Sequence, residues 1–220
     1  MSDRQTLTQD LPESSDRRGR RRAAKRARII EEAWSLARRD GLAGISLREL
    51  ADTVDLRQPS LYAYFESKLD LYDSMFEDGQ RELLDRCLER EPLADAREEL
   101  VALVEDLVQF SGEDPVRHQL LFQRTIPGFE PSEAAMAPAR EFVGLVTGRL
   151  AAAGAHEQRD VDLFSAIVSG LAHQQVANDP GGDRWVVLAR RVVEILVADI
   201  DEHASDRPNN KQSKNRRTRK

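Results

Sequence analysis

The side chains with the clearest chemical potential in this chain form a short block of hydrogen-bonding groups. Gln58, Ser60, Tyr62 and Tyr64 alternate with apolar residues, Ser46, Arg48 and Arg57 precede or adjoin them, and Lys68 follows. Glutamine can pair with the edge of adenine through two hydrogen bonds, and tyrosine can meet a thymine methyl group or a phosphate. Arginine, lysine and serine suit phosphate oxygens, above all at helix starts, where backbone amides and the helix dipole favour an anion. Upstream lie Arg17, Arg18, Arg20, Arg21, Arg22, Lys25, Arg26 and Arg28, a run that would attract the backbone of a nucleic acid or enter its minor groove.

Such groups read bases only if a helix presents them, and the local sequence supplies one. Ser46 followed by Glu49 is a capping box. Leu47, Leu50, Ala51 and Val54 then fall on one helical face. Asp55 can take the left-handed conformation of a tight turn, and Leu56 can fill the angle behind it. Pro59 is tolerated in a first turn, so a second helix is expected over 58–65 with Leu61 and Phe65 inward. Ser67 with Asp70 signals the next helix start. Two short helices about a tight turn make a helix-turn-helix, whose second helix lies in the major groove of DNA.

This block, with the helix before it and Glu66-Ser67-Lys68-Leu69-Asp70-Leu71 after it, resembles the DNA-binding domain of the TetR family of bacterial transcriptional regulators. The resemblance covers about residues 24–75 and rests on Ser46, Leu50, Ala51, Leu56, Leu61, Tyr62, Tyr64, Phe65, Lys68 and Leu71. The chain departs from the pattern at Asp55, where the family has glycine, at Arg57, where it has a capping serine or threonine, and at Ala63. The resemblance implies a DNA-binding regulator, by the family's habit a repressor, released from a palindromic operator by a small molecule. The alternative is a helical ligand-binding or interaction protein without specific DNA binding.

Charge is unevenly placed. The 220 residues carry a net −6, yet residues 1–28 hold nine Lys/Arg against four Asp/Glu, and 207–220 hold seven Lys/Arg and no acid. Residues 29–206 are therefore strongly acidic, and attraction to DNA falls to the basic arm and a few placed side chains. One cysteine, Cys87, excludes an intramolecular disulfide. With no apolar core in the first 28 residues and no run long enough to span a membrane, the cytoplasm is the expected compartment and no membrane partner is expected.

Beyond the helix-turn-helix the periodicity is helical throughout. Helices are expected over about 24–40 (stopped by Gly41), from Ser67 to about Arg90, over 95–111, from Pro115, and over 137–153, 159–178 and 183–204. The segment Ile126–Pro131 is expected as a loop. The last two helices are apolar on most sides, which points to cover from a second copy. Phe164, Ile167, Leu171, Val192, Ile195 and Leu196 are the candidate homodimer contacts, and TetR-family proteins dimerise through their last two helices. The resemblance places a small-molecule effector among the middle helices, with Phe110, Phe122, Arg124, Phe129, Phe142 and His173 as candidate lining and Arg124 as the group to orient an acid.

No dinucleotide or phosphate loop and no His-Glu-x-x-His stands in the chain, and His118, His156, His173 and His203 lack metal-ligand spacing. No cofactor, metal or enzymatic activity is expected. The expected fold is all-α: a disordered basic arm (1–22), a three-helix helix-turn-helix domain (23–70), a helical ligand-binding and dimerisation domain (71–205) and a disordered basic tail (206–220).

Overall fold

The computed structural model describes residues 11–205, with side chains from 17 to 203. The tail expected at 206–220 and the first ten residues of the arm lie outside the described residues. Every regular element among the described residues is helical: α1 Leu11–Gly44, α2 Leu47–Thr53, α3 Gln58–Leu61, α4 Lys68–Glu89, α5 Ala96–Glu113, α6 Pro115–Phe122, α7 Ala137–Ala152, α8 Gln158–Asn178 and α9 Ala189–Ser205. A 3-10 turn, Val186–Leu188, precedes α9.

Three elements differ from their sequence expectation. α1 starts well before residue 24, so residues 11–22 continue a helix rather than forming a separate arm. It breaks at Gly41 (φ 76°, ψ 163°), a left-handed conformation that glycine alone takes without steric cost. α3 is one turn long rather than two. After Leu61 the bonds tighten to Ala63 N–H on Ser60 C=O and Tyr64 N–H on Leu61 C=O, and Arg57 offers no side-chain cap at its start. α9 begins at Ala189 rather than 183, because Gln175 and Asp179 hold the preceding chain in a turn by accepting from the Trp185 and Arg184 amides.

The chain divides into two compact units. The first runs to Gly79 and includes Gln119–Met136; the second is Gln80–His118 with the residues from Ala137 onward. The boundary thus falls inside α4 and not at residue 70. The early turns of α4 belong to the first core: Leu71, Tyr72, Met75 and Phe76 are buried with Ile29, Ile30, Ala33 and Trp34 of α1, Leu50 and Ala51 of α2, and Leu61 and Phe65. Trp34 Nε1 donates to Asp78 at 2.9 Å. The segment after α6 joins this unit through Phe129, edge-on to Tyr72 and Phe76, and through Ser132, whose amide and hydroxyl both donate to Asp73.

In the second unit α5 packs against α7, α8 and α9. Its Leu100, Leu103, Val104, Val108 and Phe110 are buried, as are Val146 and Leu150 of α7, Phe164 and Val168 of α8, and Val193, Leu196 and Val197 of α9. One buried charge cluster interrupts this apolar core. Glu99 accepts from both Nη of Arg90 at 3.1 Å, from Arg149 Nε at 2.8 Å and from the Leu93 amide at 2.9 Å. Burial alone would raise its pKa, but these donors and the arginine charges outweigh that and hold the carboxyl below the usual range. Burial pushes the neighbouring Cys87 thiol up to about 11, so it stays protonated.

Glycine sets the α5–α8 spacing. A Cβ at Gly112 would stand 2.8 Å from Gln175 Cγ, and Gln175 cannot yield because it is fully buried and bonded to Asp179 and Trp185. Gly148, inside α7, has open space beside it. Gly112→Ala should lower the melting temperature, since overpacking of about 1–3 kcal/mol exceeds the helix-propensity gain of about 1 kcal/mol. Gly148→Ala should raise it by that gain alone; thermal unfolding followed by circular dichroism checks both.

Candidate DNA-binding face

The helix-turn-helix is built as its sequence implies, with one exchange of partners. Ser46 Oγ accepts from the Glu49 amide at 3.4 Å. Glu49 does not complete the capping box; its carboxylate accepts from Arg39 Nη2 at 2.6 Å, which ties α2 to α1. Leu50, Ala51 and Val54 are fully buried. Asp55 takes φ 56°, and the chain turns there, with the Leu56 amide on Ala51 C=O at 2.8 Å. Leu61 and Phe65, both 1% exposed, anchor the segment that carries α3.

With those two side chains inward, Gln58 and Ser60 are exposed, Tyr62 is 46% exposed and Tyr64 is half-buried. Ser46, Arg48 and Arg57 are exposed as well. Gln58, Ser60, Tyr62 and Tyr64 thus lie on α3 and the turn after it with Arg57 at its start, while Ser46 and Arg48 lie at the start of α2.

The remaining predicted cations divide. Arg20 and Arg21 are exposed on α1. Arg22, Lys25, Arg26 and Lys68 instead make bonds inside the unit: Arg22 Nη2 to Ala63 C=O at 2.8 Å, Lys25 Nζ to Val54 C=O, Arg26 Nη2 to Ser74 Oγ, and Lys68 Nζ to Ala43 C=O at 2.7 Å. Partial burial lowers the Lys68 pKa, and its ammonium lies 5.7 Å from the Tyr72 ring centre. The signal for this division is present in the sequence: 22, 25 and 26 share the helical face of Ile29, Ile30 and Ala33.

The six candidate effector residues are dispersed. Phe122 and Arg124 are exposed and Phe129 half-buried in the first unit. In the second, Phe110 is buried under Arg117, whose guanidinium carbon stands 3.6 Å from the ring centre, Phe142 is half-buried, and His173 is exposed. None of the six lines either of two grooves in the second unit. One, of about 390 Å³, lies between α5 and α9 and is crossed by the ion pairs Arg97–Asp201 and Arg190–Glu98. The other, of about 320 Å³, lies between the 93–96 turn and α7, lined by Leu93, Glu99, Leu145, Gly148, Arg149 and Ala152.

Of the candidate dimer contacts, Phe164, Leu171 and Leu196 are buried within the second unit, Ile167 and Val192 are half-buried, and Ile195 is 52% exposed. Leu163, Val187 and Leu188, apolar residues of the same stretch outside the candidate contacts, are exposed as well.

A short helix with exposed polar side chains, braced by two other helices, is the geometry of a helix-turn-helix domain. Residues 29–75 match the family model described as bacterial regulatory proteins, tetR family. No curated protein matches the chain in sequence. Solved structures share the fold over nearly their full length. SCO4313, described as a regulatory protein, is 22% identical with a TM-score of 0.66, over 82% of this chain and 98% of that one. FadR from Bacillus subtilis, solved with stearoyl-CoA, is 17% identical with a TM-score of 0.61, over 77% and 96%. PfmR, a TetR family regulator from Thermus thermophilus, is 23% identical with a TM-score of 0.54, over 78% and 97%. The protein therefore has the fold of a TetR-family transcriptional regulator. No described helix is long and apolar enough to cross a membrane.

The missing cap of α3 is testable on its own. Arg57→Ser restores an oxygen to the N-cap and should raise stability by about 1 kcal/mol, whereas Arg57→Ala should give no such gain. Urea unfolding curves for the two variants decide it.

Proposed function

We propose that this protein is a repressor that binds a palindromic DNA operator as a homodimer and is released by a small-molecule effector. The observation that carries the reading is the outward row Gln58, Ser60 and Tyr62, flanked by exposed Arg48 and Arg57, on a helix whose other side is anchored by Leu61 and Phe65. In this reading Gln58, Ser60, Tyr62 and Tyr64 meet base edges or adjacent phosphates, while Ser46, Arg48 and Arg57 hold the backbone. The outer stripe of α8 and α9, with Leu163, Ile167, Val192 and Ile195, supports a two-fold partner. Two-fold symmetry would present two reading helices to two half-sites.

The groove between the 93–96 turn and α7 supports an effector site. Its wall is largely apolar, and it includes Arg149, whose buried Nη1 has no hydrogen-bond partner among the described residues. A small acid with an apolar body suits it, and an acyl thioester is the ligand of FadR in its complex.

Selection of bound duplexes from a random pool tests the DNA reading. The expected product is an inverted repeat with half-sites related by whole helical turns of about 10–10.5 base pairs. Gln58→Ala should relax the preference at one position per half-site at a cost of about 1–3 kcal/mol. Enrichment of no sequence at moderate salt would favour a helical binding protein without a DNA role.

For the effector, fatty acids and their coenzyme A thioesters are titrated against the selected complex. Release by members of that series, abolished by Gly148→Leu in the groove, is the expected result. Release that survives Gly148→Leu places the effector elsewhere.

A further inference from the structure

The basic stretch ahead of the helix-turn-helix does more than its charge suggests. The inner face of α1 is apolar from Ile29 to Ala37 and turns cationic over the two preceding turns. Arg22, Lys25 and Arg26 share that face, and each reaches a different part of the domain. Lys25 donates to the carbonyl of Val54, the C-cap of α2. Arg26 donates to Ser74 of α4, its guanidinium carbon 5.5 Å from the Phe65 ring centre. Arg22 donates to the carbonyl of Ala63 and lies 5.5 Å from the Tyr64 ring centre.

The segment held by Arg22 has little to hold itself. α3 has four residues and no side-chain cap, and a single helical turn is not stable in isolation. Leu61 and Phe65 fix it at two points on the inner side. Arg22 supplies the third point, on the stretch that carries Tyr62 and Tyr64. Because the donor is charged, its hydrogen bond to the Ala63 carbonyl is stronger than a neutral one. Arg22 lies outside residues 29–75, the part matched to the family.

We infer that Arg22 is a positioning residue for DNA reading: it sets the orientation of residues 62–64, so base discrimination depends on it beyond its attraction for phosphate. The inference rests on the DNA reading proposed above, and its test separates the two. Full-length Arg22→Gln, Arg21→Gln and Arg22→Lys are compared with the unaltered chain. Arg21 is exposed on the same helix, so its substitution removes the same charge without touching Ala63.

Amide hydrogen exchange of residues 62–65 is measured without DNA. Affinities for the selected duplex and for a scrambled one are measured across a salt series. The expected result is faster exchange at 62–65 in Arg22→Gln alone, with the specific-to-scrambled ratio falling about tenfold. Arg21→Gln should weaken both duplexes alike, flatten the salt slope by about one and leave the ratio intact. Arg22→Lys, which keeps a charged donor, should restore the ratio. Equal ratios and equal exchange in Arg22→Gln and Arg21→Gln would overturn the inference. Failure of the unaltered chain to discriminate the duplexes would overturn the DNA reading, and with it the consequence drawn for Arg22.

Discussion

Helices of seven and four residues leave nearly all their terminal backbone groups without partners of their own, and the reading head of this protein is made of two such helices. Backbone amides of residues 54–56 and 62–65 take the last carbonyls of the two helices, and side-chain donors from elsewhere in the unit take carbonyls of the turns around them. Lys25 takes the Val54 carbonyl at the end of α2 and Arg22 that of Ala63 beyond α3, while at the end of α1 Lys68 takes the Ala43 carbonyl and the Tyr72 hydroxyl that of Leu42. Three of the four donors are cations set against helix or turn carbonyls, where the dipole favours positive charge. The arrangement of Gln58, Ser60 and Tyr62 on the surface follows from these bonds as much as from the apolar anchors beneath.

That solution changes how the charge of the chain is understood. A net −6 looks unfavourable for a protein that approaches phosphates, and several arm cations are engaged inside the fold. Yet at physiological ionic strength charges beyond about 8 Å are largely screened, so what a phosphate meets is the local set. On the outer side of the head that set includes Arg48 and Arg57, with Arg18 and Arg21 exposed along α1. Much of the acid in the second unit is paired there, Glu98 with Arg190, Asp201 with Arg97, and Glu99 with Arg90 and Arg149.

Most of the reading head was legible in the sequence because local rules govern it. The Ser46 cap, the buried face of Leu50, Ala51 and Val54, the left-handed Asp55 and the break at Gly41 each follow from residues a few positions apart. What was not legible depends on partners far along the chain. Glu49 could bond back to its own helix start or to Arg39, and only the packing of α1 on α2 decides between them. The cations of α1 carry a periodicity that points inward, while their type points to phosphate, and sequence alone does not rank the two signals. The effector lining was drawn from Arg124 and aromatic residues scattered over both units; residue type alone does not say which cavity a side chain borders, or whether it borders one.

The last two helices show why an apolar sequence can specify two surfaces at once. On α8, Phe164, Val168 and Leu171 are buried within the unit, while Leu163, Ala166, Ile167 and Gly170 occupy the adjoining stripe about one residue, or 100°, away. On α9, Val193, Leu196 and Val197 are buried, and Val192 and Ile195 lie beside them on the outer edge. One core cannot cover both stripes of a helix, so a helix apolar on most sides keeps its second stripe in water unless another molecule takes it. Sequence alone could not say which stripe faced inward, and the candidate contacts were drawn from both. A second copy of the chain is the cover that requires least of the sequence, because an isologous contact asks one patch to complement only itself. Ala166, Ser169 and Gly170 are small enough that such a patch would admit close approach, and among the described residues no neighbouring atom lies within 4 Å of where a Cβ at Gly170 would stand.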